Sequence, residues 1–202
     1  MKALIHFVLF ATISTGCGGD DGIDSNEEAR RAYLGLDGSI AQSITLGFAG
    51  FNTAQSANIS PQSSPGVAAG TLTVTGQVDQ GSSANKGMRL RVGMVAYTDG
   101  PFIINEDGDT IVVTYDTDVD PALQPFLSLS LKNIPTGTLE GTLTGTYLMT
   151  DGIEGEAELN LTFSGTLQDG GGGAVMRAPG TTHVTGTVVT PNDGTFDVDV
   201  TI

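Results

Sequence analysis

Residues 137–168 read GTLEGTLTGTYLMTDGIEGEAELNLTFSGTLQ, and the alternation in this stretch decides the fold class. Leu139, Gly141, Leu143, Gly145, Tyr147 and Met149 occupy every second position. After Asp151 and Gly152, Ile153, Gly155, Ala157, Leu159, Leu161, Phe163, Gly165 and Leu167 do the same, with Glu154, Glu156, Glu158, Asn160 and Thr162 between them. A period of two sends successive side chains to opposite faces of a strand, so the stretch reads as a hairpin with one apolar and one polar face. The Asp-Gly pair favours a two-residue type I′ turn at 151–152.

The same period recurs in both directions along the chain. In TLTVTGQVD (71–79), Leu72, Val74, Gly76 and Val78 share a face, and HVTGTVVTPNDGTFDVDVTI (183–202) forms a second hairpin. Further strands are expected at 87–98, 102–105, 110–116 and 126–133, which gives about eight or nine in all. Short connections make neighbours in sequence antiparallel. Residues 52–70, with two prolines among small polar residues, read as a loop. The glycine run 170–173 and AVMRAPGTT read as a long mobile loop, and Met176 and Arg177 near its tip are the candidate partner contacts.

Ahead of the strands the period changes. Ser25 and Glu28 stand as the ends of a capping box, and Tyr33, Leu36, Ile40, Ile44, Phe48 and Phe51 follow at helical spacing. Gly35, Ser39, Ser43 and Gly47 make one flank of this helix almost free of side-chain bulk, and Asp37-Gly38 is a point where it is expected to bend or break. An amphipathic helix buries its stripe against something. The expected fold is therefore α+β, mostly β: one long N-terminal amphipathic helix packed on a curled antiparallel meander sheet or open barrel, a single domain over 26–202. Gly76, Gly141, Gly145, Gly155, Gly165 and Gly186 lie on the apolar faces of their strands. Either the sheet curls sharply there, or the helix rests on a glycine-lined trough.

The first residues, MKALIHFVLFATISTGC, combine Lys2, an apolar run from Ala3 to Ile13 and small residues leading into Cys17. A basic start, a short apolar stretch and small residues before a cut are the parts of a secretory signal. With its cysteine placed directly after Ser14, Thr15 and Gly16, the segment resembles the lipobox of bacterial lipoproteins. That resemblance implies a signal peptide over 1–16, a diacylglyceryl group and an amide-linked acyl chain on Cys17, and attachment to a membrane. Gly18 in place of aspartate implies the outer membrane, with the face undetermined. The alternatives are an ordinary signal peptide cut near Thr15 or Gly16, leaving a free thiol, and a cytosolic chain with an apolar start. Residues 17–25 would then be a flexible acidic tether.

Composition narrows the function classes. The formal net charge is −15, and loss of Lys2 with the signal would take it to −16. Nucleic acid and anionic surfaces are poor partners for such a chain. Glycine is abundant at 29 residues and tryptophan absent, which points to many turns and little aromatic anchoring of the sheet. Beyond His6, His183 is the only histidine, so ordinary zinc and copper sites and a Ser-His-Asp arrangement lack their parts. Asp116, Asp118 and Asp120 match the first ligands of a calcium loop, but Pro121 and Leu127 stand where an EF-hand needs glycine and glutamate. They remain weak calcium candidates.

No catalytic residue and no cofactor beyond the covalent lipid is expected. Two readings of function stay open: a non-catalytic structural or interaction module that binds another envelope protein, and a carrier of an apolar ligand in a helix-covered curled sheet. The second resembles in outline the half-barrel lipoprotein carriers of the envelope.

Overall fold

A computed structural model describes residues 22–202; Cys17 and the rest of the segment read as a signal lie outside the described residues. One helix, α1 (Asn26–Thr53), is followed by β1 (Asn58–Pro65), β2 (Ala69–Val78), β3 (Lys86–Thr98), β4 (Phe102–Ile103), β5 (Thr110–Ile111), β6 (Val113–Asp116), β7 (Phe126–Lys132), β8 (Thr138–Asp151), β9 (Gly155–Gly171), β10 (Ala174–Arg177), β11 (His183–Thr190) and β12 (Gly194–Thr201). The fold is α+β and mostly β, with a ring-like sheet that does not close.

The sheet runs in the order β1-β2-β3-β6-β8-β9-β11-β12, with β7 also between β3 and β8, β10 beside β9, and β4 and β5 forming a separate ribbon. Every pairing is antiparallel. β6 and β7 occupy one strand line: β7 pairs with the first half of β3 and of β8, and β6 with the second half of each. Residues 117–125 are an excursion out of that line. Its ends are pinned to β3, where the Thr117 amide donates to the Met94 carbonyl and the Val92 amide to the Pro125 carbonyl.

The helix is held at its start as the sequence implies. Ser25 is the N-cap and its hydroxyl accepts from the Glu28 amide, while Glu28 Oε2 accepts from the Asp24 amide. The helix does not break at Asp37-Gly38 but continues for 28 residues, about 42 Å at 1.5 Å per residue. Packing outweighs the weak propensity there, because Gly38 lets the Asp99 carboxylate approach closer than an alanine Cβ would permit. Tyr33, Leu36, Ile40 and Ile44 of the apolar stripe and Ser39, Ser43 and Gly47 of the small flank are buried, while Phe48, Phe51 and Gly35 are partly so. Side chains rather than backbone fill the flank: Tyr115 and Phe102 approach Gly35, Met88 approaches Gly47 and Ile59 approaches Gly50.

α1 packs against β1 and β12, the two edges of the open sheet, and also against β2, β3, β6 and β10. It therefore bridges the gap in the ring. Tyr33, Leu36, Ile40 and Ile44 are almost wholly buried within the cluster that contains Leu72, Val74, Met88, Leu90 and Phe163. Each such side chain contributes roughly 1.5–3 kcal/mol by leaving water.

The glycines on the apolar face have a local cause. A Cβ on Gly76 would meet the Arg89 carbonyl and one on Gly186 the Asn160 carbonyl, both on neighbouring strands, and both glycines have positive φ, 126° and 147°. Gly141, Gly145 and Gly165 likewise face non-helical neighbours. Close approach of neighbouring chain in the curled sheet, and not a trough under the helix, accounts for these five, whereas a Cβ on Gly155 would meet nothing within 4 Å.

Four further expectations need correction. Residues 58–65 form β1 rather than loop, because the edge position lets two prolines sit in a strand whose outer side needs no ladder bonds. The segment 170–177 is a hairpin, with Ala174 paired to Gly171 and Arg177 to Leu167. The β8–β9 turn is not the two-residue 151–152: Met149 pairs with Gly155, while Asp151 pairs with Val113 of β6 and Ile153 tucks into the core. Aromatic anchoring is also stronger than composition implies. All four tyrosines are buried, with Tyr115 donating to the Ala32 carbonyl of α1 at 2.7 Å and packing edge-on against Tyr147.

Candidate functional site

Among the described residues, the surface hollows include a groove along the flank of α1 and another on the outer face of the sheet. The first lies beside a buried ion pair. Arg177, at the end of β10, donates through Nη1 to Asp37 Oδ1 at 2.8 Å, and through Nη2 to Oδ2 at 2.7 Å and to the Asp37 carbonyl at 3.1 Å. The Tyr33 hydroxyl donates to the same Oδ1 at 2.6 Å. The side chains of Arg177 and Asp37 are only 11% and 15% exposed. Burial opposes the charge on Arg177, but the hydrogen bonds and charge of Asp37 outweigh it and raise the guanidinium pKa. Burial, and then the Asp37 charge, push the Tyr33 hydroxyl well above its ordinary value. This constellation bolts β10 to the helix.

Beside the ion pair a groove of about 370 Å³ runs between α1 and the segment 175–182, with Ala41, Ile44, Val175, Met176, Pro179 and Ile202 among its walls. Polar groups on its helix side already have partners: the Gln42 amide donates to Ser64 Oγ and the Pro65 carbonyl, and Thr45 Oγ1 to the Ala41 carbonyl. Of the two residues that the sequence places in a mobile partner loop, Met176 stands half exposed at the lip, and Arg177 is drawn inward by Asp37.

The second feature is a hollow of about 500 Å³ lined by Asp116, Asp118, Leu123, Thr146, Leu148 and Glu156, together with Thr117. The aspartates read as calcium candidates do not converge on one point. Asp116 Oδ1 accepts from the Ala96 amide of β3, while Asp118 Oδ1 and Asp120 Oδ1 each accept from the amide two residues further on, those of Asp120 and Ala122. Among the described residues no group of three or more His, Cys, Asp or Glu side chains is gathered to hold a metal ion. His183 Nε2 lies 2.8 Å from Asp199 Oδ1 on the exposed face of β11 and β12, with both side chains in solvent. Among the described residues no helix is long and apolar enough to cross a membrane.

Two residues that shape these surfaces are not evident from the sequence alone. Asp37 is legible there only as a weak point of a helix, since its partner lies 140 positions away. Leu148 did leave a trace, as the one large apolar residue at an outward position of β8, where the pattern otherwise gives threonine or glutamate.

Comparison of the chain with models of protein families, with characterised proteins and with solved structures returned no match.

Proposed function

We propose that the protein is a lipoprotein of the bacterial cell envelope, held in the outer membrane by a diacylglyceryl group and an acyl chain on Cys17. Its domain acts as a non-catalytic structural or interaction module on the acidic tether 17–25. The lipobox resemblance supports the attachment. The observation that carries the module reading is the filling of the sheet's concave side by α1: Tyr33, Leu36, Ile40 and Ile44 of its stripe and Ser39, Ser43 and Gly47 of its small flank are buried there, so the interior serves as core. A domain of this kind meets other molecules through its exterior.

A second reading, a binder of an apolar ligand, is favoured by the groove beside Arg177, whose volume and apolar walls suit a small ligand. Mass spectrometry of the protein extracted from its membrane in neutral detergent tests both. The expected denatured mass is that of the chain from Cys17 onward plus the lipid, and the native spectrum adds nothing to it. An unmodified Cys17 would overturn the lipoprotein reading. An extra mass present in the native spectrum and absent after denaturation would favour the apolar-ligand reading.

A further inference from the structure

We propose that the outer face of the sheet around Leu148 is a docking surface for a cationic amphipathic segment of a partner protein, in which an apolar side chain is flanked by lysine or arginine. The proposal rests on the reading of the domain as an interaction module and names the surface and the chemistry of the partner.

The placement follows from the register. Leu148 of β8 pairs with Asp116 of β6 on one side and with Glu156 of β9 on the other, so an outward leucine sits between two outward carboxylates in one row across three strands. The next outward position on β8, Thr146, pairs with Glu158. Above this row stands the excursion 117–125, which brings Leu123 to the hollow. Leu148 and Leu123 are 50% and 64% exposed, and Val95 of β3 and Val119 of the excursion are exposed as well, on a face that is otherwise largely polar. The excursion is braced from within: the amides of Leu123 and Gln124 donate to the Asp120 carbonyl, and the Gln124 side chain to the Asp118 carbonyl. Its leucine is therefore presented on a pinned loop.

The charge of the rim selects the occupant. No lysine or arginine lines the hollow. Among the described residues the ion pairs use Glu27, Asp37, Asp79, Glu140 and Asp199, leaving Asp116, Asp118, Asp120, Glu156 and Glu158 without a cationic partner. Such a rim attracts a positively charged partner and repels a negative one. A second copy of this chain brings a formal charge of −15, and nucleic acid and anionic lipid are repelled in the same way. The apolar centre asks for one or two apolar side chains, and the rim for the cations beside them.

The test titrates full-length protein in neutral detergent with a short synthetic peptide of alternating leucine and lysine, at low and at physiological ionic strength, with hydrogen exchange to locate the contact. The expected result is binding that weakens with salt and slows exchange within 117–125 and 146–156. Leu148→Thr matches the outward Thr146 and Thr150 and is expected to weaken binding about tenfold with the unfolding midpoint unchanged. The double variant Asp118→Asn, Glu156→Gln is expected to weaken binding and flatten its salt dependence, and it keeps the proposal testable if Leu148→Thr alters folding.

Equal binding by Leu148→Thr would overturn the proposal in favour of diffuse electrostatic attraction. Displacement of the peptide by micromolar calcium would overturn it in favour of a cation site. Slowed exchange confined to the α1 flank would leave an interaction module but overturn this surface. No binding at low ionic strength would overturn the surface too, while leaving the lipid mass on Cys17 unaffected.

Discussion

At the scale of single residues, polar groups are distributed unevenly over the helix–sheet contact. Tyr115 and Tyr147 are both buried and pack edge-on, yet the Tyr115 hydroxyl donates to the Ala32 carbonyl and the Tyr147 hydroxyl has no partner among the described residues. Removing a satisfied hydroxyl loses a hydrogen bond, whereas removing an unsatisfied one relieves a desolvation cost. Tyr115→Phe is therefore expected to lose about 1 kcal/mol in urea unfolding, and Tyr147→Phe to be neutral or stabilising. The Asp37–Arg177 pair calls for a cycle of variants. Asp37→Leu and Arg177→Met are each expected to lose about 3 kcal/mol by leaving a buried charge unpaired, and the double variant to lose less than the sum of the two. Additive losses would mean that the pair is not coupled. Neither the Tyr115–Ala32 hydrogen bond nor the Asp37–Arg177 pair is legible in the sequence, because each joins positions more than eighty residues apart.

At the scale of elements, sequence period alone identified α1 and the long strands, because each has a single buried face that repeats along its length. The β8–β9 hairpin is the clearest case, with Leu139, Leu143, Tyr147, Leu159, Leu161 and Phe163 all inside as the alternation requires. The pattern failed where an element lacks an apolar face. β1 has only Ile59 buried among its eight residues and is a strand because β2 pairs with it, a long-range condition that local composition does not carry. The turn after Asp151 departs from the Asp-Gly expectation for a related reason: β6 takes the end of β8 as its own partner, which moves the hairpin closure beyond the Asp-Gly pair. The glycines mark where strands bend against one another. Gly186→Ala puts a Cβ against the Asn160 carbonyl at a φ that L side chains avoid, and is expected to lose about 2 kcal/mol or more in thermal or urea unfolding. An unchanged stability would mean that the sheet does not need its curl at that point.

At the scale of the whole molecule, α1 occupies the opening of an incomplete ring. It touches both edge strands, and Asn26 Oδ1 accepts from the Asp197 amide of β12, so the helix start satisfies part of that edge. An exposed edge invites further strand pairing, and a covered one does not. The apolar stripe of α1 buries four large side chains at roughly 1.5–3 kcal/mol each, a sum comparable to the whole stability of a domain. A helix bound so firmly is expected to open only with the rest of the core and not as a lid, and the proposed attribution of function to the outer surface depends on this. The direct measurement is native-state hydrogen exchange at the α1 amides from Tyr33 to Ile44, set against those of β8 and β9. The expected result is that both groups exchange only through global unfolding, with equal opening free energies and equal denaturant dependence. Opening of α1 at much lower free energy, with β8 and β9 still protected, would contradict the account and describe a lid over a hollow sheet.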